Sequence, residues 1–222
     1  MKSLFEKYCS AEWLPVINHH KAEFTIKAKG YIFKEGEPVR GLYVIDDGFV
    51  KVTSTFGDGD QERILRLSNC ATILGHRAVL LKNYSISAIA LTDCKVSFIP
   101  LTLFTQLIKA NPEFALYMFE FITQELCDSE EQQRILTIQD VRQRMAYIIN
   151  KLHKVFGFKN EKLHLLAFTL SRKDFATLAN TTYETIIRTL TFLEKEKLIL
   201  NQGKEIRIIN QSALQKLALG IK

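Results

Sequence analysis

Residues 169–209 read TLSRKDFATLANTTYETIIRTLTFLEKEKLILNQGKEIRII. Ser171 followed by Asp174 is a capping pair that opens a short helix. Phe175, Leu178 and Ala179 fall at i, i+3 and i+4 and give that helix an inward face. Asn180 follows, and asparagine tolerates the left-handed conformation that a sharp turn needs. Thr181 then begins T-x-x-E with Glu184, the pattern of a capping box for a second helix. Ile186, Leu190 and Leu193 face inward on it. Two short helices joined by a tight turn match a helix-turn-helix. Leu198–Leu200 and Glu205–Ile209 read as two strands joined by Asn201–Gln202–Gly203–Lys204, a β-wing behind the second helix.

The other side of the second helix carries Tyr183, Glu184, Ile187, Arg188 and Thr191. Glu184 and Arg188 are four apart, so they share one face near the N-terminus, the end that enters the major groove in this motif. Arginine can donate two hydrogen bonds to guanine O6 and N7, and glutamate can accept from cytosine N4. A surface ion pair between the two is the competing reading, and it explains neither the first helix nor the turn. Ser171, Arg172, Lys173, Thr182 and Lys204, at the helix starts and the wing tip, are candidates for phosphate contacts.

Charge supports a polyanionic partner. The 222 residues carry a net charge of +6, unevenly spread. Residues 1–139 hold 15 basic and 17 acidic side chains, and residues 140–222 hold 15 and 7, which gives −2 and +8. A basic C-terminal part beside a near-neutral N-terminal part suggests a nucleic-acid-binding unit attached to something else. A solvated basic surface with no partner is the alternative that charge alone leaves open.

Upstream, Ile138–Gln139–Asp140 marks a hinge, and Asp140 can cap a helix running to about Val155. Residues 156–163 form a loop or short hairpin. Asn111–Pro112–Glu113 opens a long helix to about Thr137, with proline suited to the first helical position. Leu116, Phe119, Ile122 and Leu126 form one apolar stripe on it. Phe114, Met118 and Phe121 form a second flank. One stripe can pack on the preceding domain, and a second copy of the same helix is the economical partner for the other. Burial wholly within one chain is the alternative.

Leu101–Ala110 reads as a short helix. Residues 22–100 have the texture of short strands: 24–28, 31–33, 42–46, 49–55, 62–68, 85–91 and 94–99, divided by turn residues, as in a sandwich, barrel or roll. Gly57–Asp58–Gly59–Asp60 reads as a hairpin turn. Position twelve counted from Asp58 is Asn69, where a calcium loop of the EF-hand type needs glutamate. Residues 1–20 form a helical lead-in with a break at Trp13–Leu14–Pro15.

Composition excludes several classes. Hydrophobic residues make up 47% and charged residues 24%, the balance of an ordinary globular chain rather than a disordered or fibrous one. No apolar run is long enough to span a bilayer, and charges at Lys2, Glu6, Lys7 and Glu12 break any secretory core. A cytoplasmic location is expected. Cys9, Cys70, Cys94 and Cys127 lack C-x-x-C spacing, so reduced and mostly buried thiols are expected. His19, His20, His76, His153 and His164 lack metal-ligand spacing. No paired-carboxylate, nucleophile–base or phosphate-loop pattern appears, so an enzyme is not expected.

The order of these features resembles the CRP/FNR family of bacterial transcription regulators, over about residues 20–215. GEPVRGLYVIDDGFVKV (36–52) is similar to the family's cyclic-nucleotide-binding-type β-roll signature, and LSRKDFATLANTTYETIIRTLTFLEKEKLI (170–199) to its helix-turn-helix signature. The resemblance implies an α+β chain: a jelly-roll-like double-stranded β-roll (1–110), a dimerisation helix and hinge (111–139), and a winged helix-turn-helix (140–222). It implies a homodimer reading a palindromic site on double-stranded DNA and, often, touching RNA polymerase. Glu184 and Arg188 match the family's base readers. Tyr183 departs from the arginine of the cyclic-AMP-responsive members, and Ile187 from the serine of the FNR branch.

The effector cassette departs further. In ILGHRAVLLKNYSISAIAL (73–91), Gly75 and Ser87 match the cyclic-AMP members. His76 stands where they carry glutamate, and Ile86 where arginine neutralises the cyclic phosphate. An apolar side chain cannot offset a buried phosphate, so cyclic AMP is not expected to bind. His76 and Arg77 are open to two readings, a site for another anion or a surface pair on a vestigial pocket. Cys9 is alone near the N-terminus, so the iron–sulfur cluster of the FNR branch is not expected either. A different small-molecule effector, or none, is compatible with the sequence. A regulatory module acting through protein contacts, with a degenerate DNA domain, is the rival function.

Overall fold

The structure is a computed structural model that describes residues 3–56 and 61–221, and the Gly57–Asp58–Gly59–Asp60 turn lies outside the described residues. The chain divides into two compact units, 1–129 and 130–222. Among the described residues no helix is long and apolar enough to cross a membrane.

The first unit begins with α1 (Leu4–Tyr8) and α2 (Trp13–His20). The break expected at Trp13–Leu14–Pro15 falls earlier, at residues 9–12. Pro15 instead lies in the first turn of α2, where its missing N–H has no helical acceptor to lose. Eight strands follow: β1 (Ala22–Ile26), β2 (Tyr31–Phe33), β3 (Gly41–Asp47), β4 (Val50–Phe56), β5 (Gln61–Ser68), β6 (Ile73–Leu74), β7 (Ser87–Ala90) and β8 (Cys94–Pro100). They form two four-stranded antiparallel sheets, in the orders β1-β8-β3-β6 and β2-β7-β4-β5. Seven match the expected strands to within a few residues. The two-residue β6 was not expected, being too short to show any alternation.

The β3 run Gly41–Leu42–Tyr43–Val44–Ile45 is apolar on both faces because both are covered. Ile45 faces the second sheet, in a core with Phe33, Val50, Val52, Leu74 and Val96. Leu42 and Val44 face the other way, packed with Ile99, Phe104, Leu107 and Phe114 beneath the helices. Gly41 is required there, since a Cβ would collide with the Ile99 carbonyl and the Phe98 ring on β8. The sheets lead into α3 (Leu101–Ala110) and the long α4 (Pro112–Ile138). Asn111 between them is buried. It accepts a hydrogen bond from the Ser10 amide (2.8 Å) and donates to the Leu107 carbonyl (3.2 Å).

The second unit is built on α5 (Val141–Phe156), capped by Asp140 in a box with Gln143. The following segment is a hairpin, β9 (Phe158–Asn160) with β10 (Leu165–Leu166). Then come α6 (Arg172–Ala179), α7 (Tyr183–Lys195), β11 (Ile199–Gln202), β12 (Glu205–Ile208) and α8 (Gln211–Leu219). The sheet order is β11-β12-β10-β9. Met145, Ile149, Leu152, Phe175, Ile186 and Leu193 are fully buried and form the core of this unit. Helix α8, not foreseen from sequence, starts at its Asn210 cap and packs on α5. There Gln211 Nε2 donates to Asn150 Oδ1 (3.0 Å) and Leu214 is fully buried.

All four cysteines are free thiols. Only Cys94 is buried, whereas Cys70 and Cys127 are exposed. The expectation of mostly buried thiols is therefore corrected. Cys70 sits just past the end of β5 and Cys127 on the outer part of α4, neither under a covering element.

Candidate nucleic-acid interface

Helix α6 starts where Ser171 Oγ accepts the Asp174 amide (3.1 Å) and donates to the Asp174 carboxylate (2.6 Å). It ends at Asn180, whose φ of 47° is left-handed. The Thr181 amide then donates back to the Ala176 carbonyl (3.0 Å), closing the turn. That bond holds Thr181 outside the second helix. The cap of α7 is Thr182, whose Oγ1 accepts from the Thr185 amide (3.3 Å). The expected Thr181–Glu184 box is corrected by one residue, and the Glu184 side chain is free of a capping duty.

With Ile186, Leu190 and Leu193 buried, α7 turns Tyr183, Glu184, Ile187, Arg188 and Thr191 outward, and all five are exposed. Among the described residues no ion pair joins Glu184 to Arg188. Thr191 Oγ1 donates to the Ile187 carbonyl of its own helix (3.1 Å), which leaves its methyl group outward. The five side chains thus form one continuous surface spanning about two turns, long enough to face several base pairs.

The candidates for phosphate contact fall into two groups. Lys173 and Lys204 are exposed, Lys204 at the tip between β11 and β12. Ser171 and Thr182 are exposed, with their hydroxyls engaged as helix caps. Arg172 differs, because its Nη2 donates to Asn201 Oδ1 (2.6 Å) and the Gly203 carbonyl (2.9 Å). Burial draws this guanidinium below its ordinary range, against the influence of the Tyr183 phenol. Arg172 therefore ties the start of α6 to the wing.

One cation was missed by sequence reasoning. Arg142, in the first turn of α5, stacks on the Phe192 ring at 3.9 Å. Together with Asp140, Thr185 and Arg188 it lines an open groove of about 320 Å³ beside the exposed face of α7. The available signal was its position two residues past a capping aspartate, where the side chain is thrown outward from the helix start.

The candidate effector residues are brought together only in part. Gly75, at φ 85°, starts a 3-10 turn over His76–Ala78. Ser87 is buried, and its Oγ accepts from the Glu35 amide (2.9 Å). Ile86 is buried in the inter-sheet core. The reading of His76 as a surface residue is corrected, because its side chain is 4% exposed. Its Nε2 lies 2.8 Å from Glu125 Oε2 of α4. A carboxylate only accepts, so Nε2 carries the proton. Burial first, then Arg66 and Arg77, hold this imidazole well below its ordinary range. Glu125 also pairs with Arg66, and with Arg77 at 3.5 Å. Neither Arg66 nor Glu125 was singled out from sequence.

On α4 the two stripes separate as their spacing suggested. Phe114 and Met118 are buried in the first unit's core, with Phe121 packed against it. Leu116, Phe119, Ile122 and Leu126 are exposed.

Comparison with known proteins agrees with this architecture. The family model of the cyclic nucleotide-binding domain matches residues 23–111, and that of the Crp-like helix-turn-helix domain matches residues 143–217. The chain is 27% identical over 187 residues to electron transport regulator A of Shewanella oneidensis, covering 84% of this chain and 74% of that protein. It is 26% identical over 187 residues to the fumarate and nitrate reduction regulatory protein of Escherichia coli, with the same coverage. Among solved structures, FixK2 from Bradyrhizobium japonicum shares the fold at a TM-score of 0.78 and 19% identity, over 89% of this chain and 96% of that one. The two domains, in this order and over most of its length, show that the chain belongs to the CRP/FNR family of transcription regulators.

Proposed function

We propose that the chain acts as a homodimer that reads a palindromic site in double-stranded DNA, with Glu184 and Arg188 of α7 contacting base edges. Tyr183, Ile187 and Thr191 flank them. Lys173, Lys204 and Arg142 meet phosphates, and the Thr182 hydroxyl reaches them from the start of α7, whereas the Ser171 proton is held by the Asp174 carboxylate. The observation that carries this reading is the exposed face of α7: five outward side chains, a carboxylate and a guanidinium unpaired with each other, in the unit that holds the chain's excess positive charge. Leu116, Phe119, Ile122 and Leu126 supply the dimer seam, which suits two recognition helices set about one helical turn of DNA apart.

Cyclic AMP is not the effector in this reading. Ile86 is apolar and buried, and His76 is already bonded to Glu125, so neither can grip a ribose or a cyclic phosphate. RNA polymerase is the expected protein partner, and the cytoplasm the expected location. The test is selection of binding sites from random duplex DNA at physiological salt, with and without cyclic AMP. Enrichment of one palindrome in both arms is expected. Enrichment only with cyclic AMP would refute the effector reading, and no enrichment in either arm would favour a module acting through protein contacts.

A further inference from the structure

Helix α4 has a fourth member in its inward stripe. Phe114, Met118, Phe121 and Glu125 are spaced 4, 3 and 4 apart, so they lie along one face. The first three pack on the β-roll as apolar groups. The fourth is a carboxylate whose side chain is only 11% exposed. It lies among three nitrogen-bearing side chains from two separate parts of the β-roll: Arg66 on β5, and His76 and Arg77 on the 3-10 turn after β6. One turn earlier, the Phe121 ring meets His76 edge-on at 5.1 Å and lies 6.0 Å from the Arg66 guanidinium carbon. Arg66 is 15% exposed, and among the described residues its Nε and Nη2 have no hydrogen-bond partner.

A buried guanidinium with no counter-charge is strongly unfavourable, and removing one member of a buried pair is far worse than never having built it. Arg66 therefore needs an anion, and the anion present belongs to the chain itself. We propose that Glu125 is a built-in anionic latch, gripped by Arg66, His76 and Arg77, that fixes α4 on the β-roll without a diffusible ligand. The latch acts where the inward stripe runs out of apolar residues. Beyond Phe121, the ion cluster holds the helix. Its bearing on DNA binding rests on the function proposed above, whereas the latch itself stands on these contacts.

The test is hydrogen exchange on the full chain without DNA, reading the amides of residues 121–128. Glu125→Ala leaves a carboxylate-sized space facing three donors. Exchange in this segment is expected to accelerate at least about tenfold, a conservative fraction of the cost of breaking a buried pair. Sodium formate, which can occupy that space, is expected to slow it again. Sodium chloride at equal ionic strength is not. Glu125→Gln keeps the shape and removes the charge, and serves if the alanine variant unfolds. It too is expected to accelerate exchange in 121–128 while leaving residues 172–195 unchanged. Wild-type exchange in the glutamine variant, or equal rescue by formate and chloride, would overturn the latch. A failed site selection would refute the DNA reading alone, because this readout involves no DNA.

Discussion

The exposed stripe of α4 gives the sharpest prediction. Phe119 is 70% exposed in the single chain, with Leu126 at 60%, Leu116 at 52% and Ile122 at 49%. A phenylalanine offers about 200 Å² to burial, so about 140 Å² of Phe119 still faces water. Covering that area is worth about 3.5 kcal/mol at about 25 cal/mol per Å². Alanine keeps part of the area, and an interface covers only part of the rest. We therefore take about 2 kcal/mol per copy, hence about 4 kcal/mol per dimer. Phe119→Ala should weaken self-association roughly a thousandfold, as read by sedimentation equilibrium without DNA. Its thermal midpoint at low concentration should hardly move. Phe114→Ala, five residues earlier and fully buried, should behave in the opposite way. It should lose about 3–5 kcal/mol of folding stability from the cavity it leaves. A dimer constant that Phe119→Ala leaves unchanged, with the fold intact, would show that this stripe is not the seam.

On a selected DNA site, Arg188→Ala should cost about 1–3 kcal/mol and relax preference at one base pair. Lys204→Ala should weaken all sequences alike and lower the salt slope by about one; equal losses on every sequence for both variants would refute the division of roles. Arg172→Met should speed amide exchange at Gly203 and Lys204, because the bonds to Asn201 and Gly203 are lost, while leaving base preference unaltered in the same selection. Asn180→Ala should destabilise the second unit by about 1–2 kcal/mol, since its backbone is left-handed, and Asn180→Gly should not; thermal denaturation separates the two. Iodoacetamide at neutral pH should label Cys70 and Cys127 quickly and spare Cys94, with mass spectrometry as the readout. Cys9 should lag as well, because burial pushes its thiol up to about 11 and little thiolate exists at neutral pH.

What was legible in the sequence was whatever local chemistry decides. The helix-turn-helix was readable because a serine cap, an asparagine at the turn and two inward triplets lie within a few residues of one another. Pro112 and Asp140 mark the ends of α4 and α5 for the same reason. The Thr181–Glu184 box failed by one residue because the decisive bond, Thr181 to Ala176, belongs to the closing turn of the helix before it. Helix α8 was passed over because its support is non-local: Asn150 and the α5 surface hold it in place. Arg172 illustrates the same limit at the interface. A basic residue at a helix start looks like a phosphate contact until the wing, about thirty residues later, brings Asn201 and Gly203 to its guanidinium.

His76 carries that argument furthest. Read by position, it replaces a glutamate in an effector cassette, and the substitution looks like a loss of function in the pocket. In the structure the carboxylate is not lost but supplied from elsewhere, by Glu125, 49 residues along the chain. A signal was present: Phe114, Met118, Phe121 and Glu125 share one helical stripe, and a carboxylate in the inward stripe must meet a donor or forfeit its solvation. Once Phe114 and Met118 are assigned to the β-roll, Glu125 has to point at it too. The β-roll must then hold a cation that no strand pattern explains. Arg66 is that cation: it sits in β5 between Leu65, packed against the inter-sheet core, and the buried Leu67. The helix stripe and the strand thus predict each other, although neither identifies the pair alone.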